Sequence, residues 1–170
     1  IWHLQHDNDI SAQRELVHLV EATKAMCERG LEAQSGAMLN SLCGELGFLA
    51  GDMKVATNMY VRYNSSIESL YGGDHLATSD AYSTLASLHA QKRELHKALD
   101  YAGQALVIRL EHLGVFHLCT ADSHFNLGLL FRMLGRYDEA LREFHFARAI
   151  RKELVGKESV AVAEADFSIG

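Results

Sequence analysis

Ten histidines in 170 residues are the first chemistry that the sequence offers. An imidazole can ligate a metal, move a proton or cap a helix, and spacing separates these uses. His89 and His96 are seven residues apart, as are His117 and His124, while His112 and His117 are five apart. His3 and His6 lie near Asp7. None of these sets gives the four-residue helical step plus third ligand of a zinc site. Cys27, Cys43 and Cys119 form no C-x-x-C pair, are odd in number and sit among apolar residues. They read as small buried hydrophobes in a chain from a reducing compartment. No metal and no cofactor is expected. There is no G-x-S-x-G elbow, no phosphate-cradling glycine loop and no cysteine–histidine motif, so no catalytic role is expected either. The acidic pair Asp138 and Glu139 reads as first-turn charge at a helix start, where the macrodipole favours it.

Composition narrows the elements that hold these residues. Apolar residues make up 48% and charged residues 22%, a globular balance that argues against disorder. Proline is absent, where ordinary usage of roughly 5% would supply about eight. A chain without proline suits helix interiors, which do not tolerate the ring. Sixteen basic against 22 acidic residues leave a charge of −6 with no basic run, which disfavours nucleic acid and anionic membranes as partners. No apolar stretch of about 18 residues could span a bilayer. The sequence opens at Ile1 without an initiator methionine and stops at Gly170 inside an apolar pattern, so a piece of a longer protein is expected.

An internal period organises the chain. Gly30, Gly72, Gly114 and Gly156 are each 42 residues apart. Each follows an amphipathic stretch, as a glycine that closes a helix in left-handed backbone would. Ala56, Ala98 and Ala140 keep the same step, as do Leu46, Leu88 and Leu130, and the small residues Gly44, Ala86 and Gly128. Arg109 aligns with Arg151, and His75 with His117. The two histidines read as loop caps, and the others as solvated or half-buried.

Each period divides into two helices. First helices are expected at Met38–Ala50, Ala77–Gln91 and Cys119–Leu134, and second helices at Met53–Leu70, Leu95–Leu113 and Tyr137–Val155. In the last, Tyr137, Ala140, Leu141, Phe144, Ala147 and Ile150 make one apolar stripe. The short links near Arg93 and Gly135 leave room only for antiparallel hairpins. Small residues at Ala86, Ala98, Gly128 and Ala140 allow the helix backbones to approach. A further second helix is expected at 11–29, with Ser11 as its cap, and a further first helix at Val160–Ile169. The expected division is a partial repeat at 1–33, repeats at 34–76, 77–118 and 119–157, and the start of a fourth at 158–170.

Leu127, Gly128, Ala140 and Ala147, with Phe131, Tyr137 and Phe144, resemble the small and aromatic positions of the tetratricopeptide repeat. The longer period resembles its kinesin-light-chain type, carried by Ala98, Leu99, Ala105, Leu106, Ile108, Arg109, Leu113, Gly114 and His117. The likeness covers about residues 34–170 and implies an all-α fold: a right-handed α–α superhelix, or solenoid, of antiparallel helix pairs. One departure is consistent. Leu76, Leu118 and Val160 stand where the family has a loop proline, so either the loops are less rigid or the following helices start earlier. Tyr63 replaces the expected alanine in the first repeat, where packing must differ.

The resemblance implies that first helices line a concave groove for a protein or peptide. It places Glu45, Asp80, Ser83, Thr84, Ser87, Gln91, Asp122, Asn126 and Arg132 there, alongside Met38, Ser41, Leu42, Phe48, Leu49, Ala90, Phe125, Leu129 and Met133, some of which must instead pack between helices. Asn126 resembles the groove asparagines that hold a peptide backbone, since its amide both donates and accepts. Asp80 and Asp122 oppose a basic clamp for a terminal carboxylate. Arg109, Arg148, Arg151 and Lys152, offset by Glu111, Glu143 and Glu153, read as a solvated mixed-charge face. The implied function is a non-catalytic scaffold in the cytoplasm, with motor-cargo, cytoskeletal or ciliary assembly as the setting. The alternative is a docking or regulatory region of an enzyme or peptide sensor whose active domain lies elsewhere.

Overall fold

The computed structural model describes residues 33–156 and 159–169. Among them are seven helices and no strand. They are α1 (Ala33–Leu49), α2 (Met53–Tyr71), α3 (Leu76–Gln91), α4 (Leu95–Leu113), α5 (Leu118–Met133), α6 (Tyr137–Val155) and α7 (Val160–Ile169). The helix expected at 11–29, the capping role of Ser11, and Gly30, His3, His6 and Cys27 lie outside the described residues. The chain forms two compact units, 1–73 and 74–170.

Sequence chemistry explains where the helices stop. After α1, α3 and α5 the chain makes the same turn three times. The N–H groups of Asp52, Glu94 and Arg136 donate to the carbonyls of Gly47, His89 and Phe131 at 2.8, 2.9 and 2.9 Å. The N–H groups of Gly51, Arg93 and Gly135 donate to Phe48, Ala90 and Arg132 at 3.0 Å each. This nested pair is the Schellman closure, which requires a positive φ at its pivot. The pivots are Gly51, Arg93 and Gly135, with φ of 76°, 62° and 75°. The second helices end differently. Gly72, Gly114 and Gly156 have φ of 93°, 78° and 83° with ψ of 161°, 179° and 166°. That is the extended positive-φ region open essentially to glycine alone, rather than the expected left-handed helical one.

The next helices begin on a cap. His75 Nδ1 accepts from the Ala77 N–H, and His117 Nδ1 from the Cys119 N–H, each at 3.1 Å. Helices α3, α5 and α7 thus begin at Leu76, Leu118 and Val160, the residues that stand where the family has proline. Asp52 caps α2 by accepting from Lys54 and Val55 at 3.1 and 3.0 Å.

In the first unit α1 packs on α2 around Cys43, Leu46 and Met59. Gly44 sits under the Tyr60 ring, and a Cβ there would lie 2.7 Å from it. Tyr60 meets Tyr63 edge-on at 6.4 Å. In the second unit each helix packs on the one that follows it. Ala86, Ala98, Ala102, Leu127 and Leu130 form the core that α3, α4 and α5 share. Gly128 repeats the close approach, with a Cβ placed 2.6 Å from the Phe144 ring. Phe144 itself is 1% exposed.

Candidate functional site

Between α3, α4 and α5 a cavity of about 210 Å³ opens to the surface. Its walls are Ala86, Ala90, Ala102, Leu129, Leu130 and Met133, and its polar edge is Ser83, Ser87, Ser123 and Asn126. Of the residues placed in a groove by resemblance, Ser83, Ser87 and Asn126 converge here. The hydroxyls of Ser83 and Ser87 donate to the carbonyls of Ser79 and Ser83 at 3.0 and 3.1 Å. Their oxygens keep lone pairs for an incoming donor. The exposed Asn126 amide has no hydrogen bond among the described residues.

The remaining expected groove residues are placed elsewhere. Thr84 is half-buried, and its hydroxyl donates to the Asp80 carbonyl at 3.1 Å. Gln91 is exposed at the end of α3, and Glu45 is exposed on α1 in the first unit. Arg132 lies over Phe144 at 6.0 Å and borders a second cavity with Tyr137, Ala140, Leu141, Phe144 and Ser168. The mutual spacing of residues in one helix could not reveal Ala86, Ala102, Ser123 and Leu130 as cavity walls. A signal was present, however, in Ala102, the only small residue at a step that carries Tyr60 and Phe144.

Asp80 and Asp122 are committed to arginines. Arg109 donates to Asp80 Oδ1 and Ser123 Oγ at 2.7 Å each, and to Ser79 Oγ and the Cys119 carbonyl at 3.3 Å. Arg151 donates to Asp122 Oδ1 at 2.8 Å and to the Ala161 carbonyl at 2.9 Å, and lies 4.7 Å from the Phe125 ring. The two arginines are 7% and 6% exposed. The expectation of a solvated basic face is therefore wrong for this pair. Each arginine joins the first helix of its own hairpin to the first helix of the next. The planar fork suits that task, because it serves carboxylate, hydroxyl and carbonyl acceptors together. The 42-residue spacing shared by Asp80 with Asp122 and Arg109 with Arg151 carried the signal.

Three further histidines make contacts among the described residues. His89 is buried, stacks on Tyr101 and meets Glu94 at 2.9 Å. His124 meets Glu143 at 2.7 Å, and His112 the Asp74 carbonyl at 2.9 Å. Lys97, His89 and Lys92 hold the Glu94 carboxyl down to about 2. Arg136 holds the Glu139 carboxyl below its ordinary value. Burial, then Glu45 and Tyr63, push the Tyr60 phenol up. Among the described residues no three His, Cys, Asp or Glu side chains converge on a metal-sized site. No described helix is long and apolar enough to cross a membrane.

Repeated antiparallel pairs, Schellman turns and a groove between first helices define an all-α repeat fold of the solenoid class. Residues 94–153 match the tetratricopeptide-repeat family model. The crystal structure of BtubC (BKLC) from P. vanneervenii is similar, with TM-score 0.78 and 19% identity over 95% of this chain and 65% of that one. The chain thus spans just under two thirds of that protein's length. A putative kinesin light chain from Podosopora anserina with nearly identical repeats has TM-score 0.76 and 15% identity over 98% and 82%. The N-terminal domain of stress-induced protein-1 from C. elegans has TM-score 0.58 and 13% identity over 83% and 100%. No curated protein matches the chain in sequence. The chain thus carries a tetratricopeptide-repeat match over residues 94–153, and its fold is that of the kinesin-light-chain-like solenoids.

Proposed function

We propose that the chain is a non-catalytic scaffold that holds an extended segment of a partner protein in the α3–α5 groove. The carrying observation is the open apolar cavity edged by Ser83, Ser87 and Asn126. An extended segment has main-chain donors and acceptors to satisfy, and Asn126 offers both. The serine oxygens accept, and the apolar walls exclude water from these contacts. The likeness to kinesin-light-chain arrays supports motor-cargo, cytoskeletal or ciliary assembly as the cytoplasmic setting. We assign Thr84, Gln91 and Arg132 to the margins of this groove, Glu45 to the exposed face of α1 within the first unit by itself, and Asp80 and Asp122 to holding the arginines that shape the groove.

Asn126→Ala tests this. Peptides selected from a displayed library on the 170-residue chain should bind the variant about tenfold more weakly, the loss of one or two good hydrogen bonds. The melting temperature should stay within about 2 °C, as for an exposed surface change. A parallel loss of stability would make Asn126 a structural residue and remove it from the groove.

A further inference from the structure

The cavity lies where one hairpin lacks a ring that the other two possess. Tyr60, Ala102 and Phe144 occupy the same eighth position of α2, α4 and α6. Facing them on the preceding helices are Gly44, Ala86 and Gly128. In the outer two hairpins the glycine makes room for the ring, to the point that a Cβ would sit 2.7 or 2.6 Å from it. In the middle hairpin both partners are alanine. Interiors tolerate few voids, so an empty ring position next to a core is a constructed space.

We propose that this notch selects one phenyl-sized side chain from the segment bound in the groove. The inference rests on the groove reading above and adds the class of residue that the site recognises. The size fits: a dry apolar cavity of about 150 Å³ suffices for benzene, and the open cavity that includes the notch measures about 210 Å³. The charge pattern fits as well. No charged side chain lines the cavity, and the nearby carboxylates of Asp80 and Asp122 are paired with Arg109 and Arg151. A charged occupant would be desolvated without a counter-ion, which is costly. An uncharged ring finds apolar Ala, Leu and Met walls. The ring's parent chain then passes the Ser83, Ser87 and Asn126 edge, where its amides are satisfied.

The test plugs the notch as the neighbouring hairpins do. Ala86→Gly with Ala102→Phe rebuilds the Gly128–Phe144 pair in the middle hairpin. Benzene is titrated into methyl-labelled chain and followed by NMR. Saturable shifts confined to Ala86, Ala90, Ala102 and Met133 are expected, with the Met133 shift abolished in the double variant. Absent or non-saturable shifts, or shifts unchanged in the variant, would overturn the proposal. Displayed peptides selected on the chain should share a phenylalanine, and its replacement by alanine should weaken binding at least about tenfold, the value of burying that side chain. Peptides that need Asn126 but share no ring would overturn the notch and leave the groove reading standing. Benzene binding without any selectable peptide would overturn the groove reading, and the peptide pocket with it. If the double variant melts early, Ala90→Leu closes the notch from its edge and must give the same losses.

Discussion

The second and third hairpins of this chain share a frame and differ in filling. Their first helices have 16 residues each and their second helices 19. Both begin on a histidine cap, turn through the same nested hydrogen bonds and close with a glycine. Both tie an arginine near the end of the second helix to an aspartate 29 residues earlier. The interior differs: Ala86 faces Ala102 in one, and Gly128 faces Phe144 in the other. The turn differs as well. His89 Nδ1 lies 2.9 Å from the Glu94 carboxylate, where the third hairpin places Arg136 over the Phe131 ring at 4.7 Å. The backbone frame is repeated by residues that cap, turn and tie. The residues between them are free to vary, and one such variation opens the groove.

The largest break in this comparison comes from the third hairpin's interior. Phe144→Ala should cost about 3–5 kcal/mol, because a buried ring is replaced by a cavity. Gly128→Ala should cost about 1–3 kcal/mol, because its methyl meets a ring with nowhere to move. Together they recreate the alanine pair of the second hairpin. The double variant should therefore lose less than the sum, by about 0.5–3 kcal/mol. Urea melts of all four proteins measure this. Strict additivity would show that Gly128 and Phe144 are not a packing pair.

The arginine ties come next. Arg109→Met keeps much of the apolar stem and removes the fork. The loss of charge-assisted bonds to Asp80, Ser123 and Cys119 should cost about 2 kcal/mol by urea melt. Asp80, at 71% side-chain exposure, returns to water without penalty, which keeps the loss below that of a fully buried pair. Arg109→Lys should recover little, because one ammonium cannot reach four acceptors on two helices.

These two cases also mark what was legible in the sequence. The frame was, since a cap, a closing glycine and an apolar stripe act through neighbours in the chain. Helices α4, α6 and α7 fall on their expected ends, α2 and α3 differ by one residue at one end and α5 at both, and α1 starts five residues before the expected Met38 and ends one residue earlier. The arginine ties were misread because Asp80 and Arg109 are distant in sequence, and charge alone does not tell burial from solvation. The Schellman pivots are not legible as a series because Arg93 interrupts the one that Gly51 and Gly135 begin. The cavity is not legible because it is made by what Ala102 lacks, and a missing ring has meaning only against the partner it would have faced. Which expected groove residues touch a partner depends on that partner's shape, which the chain's own residues do not encode.

Arg93 supplies a smaller test. It holds φ at 62° where the corresponding residues are glycines. A side chain in that region costs about 1–2 kcal/mol relative to glycine. Arg93→Gly should thus stabilise the chain by about 1 kcal/mol after the added freedom of the unfolded glycine is subtracted. The reverse change, Gly135→Arg, should destabilise the third hairpin by a similar amount. Thermal melts of the two variants should move in opposite directions. If Arg93→Gly lowers the melting temperature, the arginine side chain holds the turn by contacts that outweigh its backbone strain.

The smallest effect is the pH dependence of the turn at Glu94. Glu94 is held by Lys97 at 3.0 Å, His89 at 2.9 Å and Lys92 at 3.2 Å, and its carboxyl is lowered from 4.5 to about 2. A folded-state value below the unfolded one means that the unfolded chain takes up the proton first. The stabilisation is therefore complete above about 4.5 and fades as pH falls towards about 2. Its counterpart in the third hairpin is Arg136, which holds Glu139; that carboxyl is lowered too, so the test compares the Glu94 variant with its own parent. Glu94→Gln should lower the melting temperature slightly at pH 6, and the gap from the parent should close between pH 4.5 and 2. Exposure to solvent and salt keeps the effect small, so 0.5 M salt should shrink the same gap at pH 6. A difference that persists unchanged at pH 2 would mean that Glu94 shapes the turn by its size and hydrogen bonding rather than its charge, and the ionic and cation–π turns would then be mechanically alike.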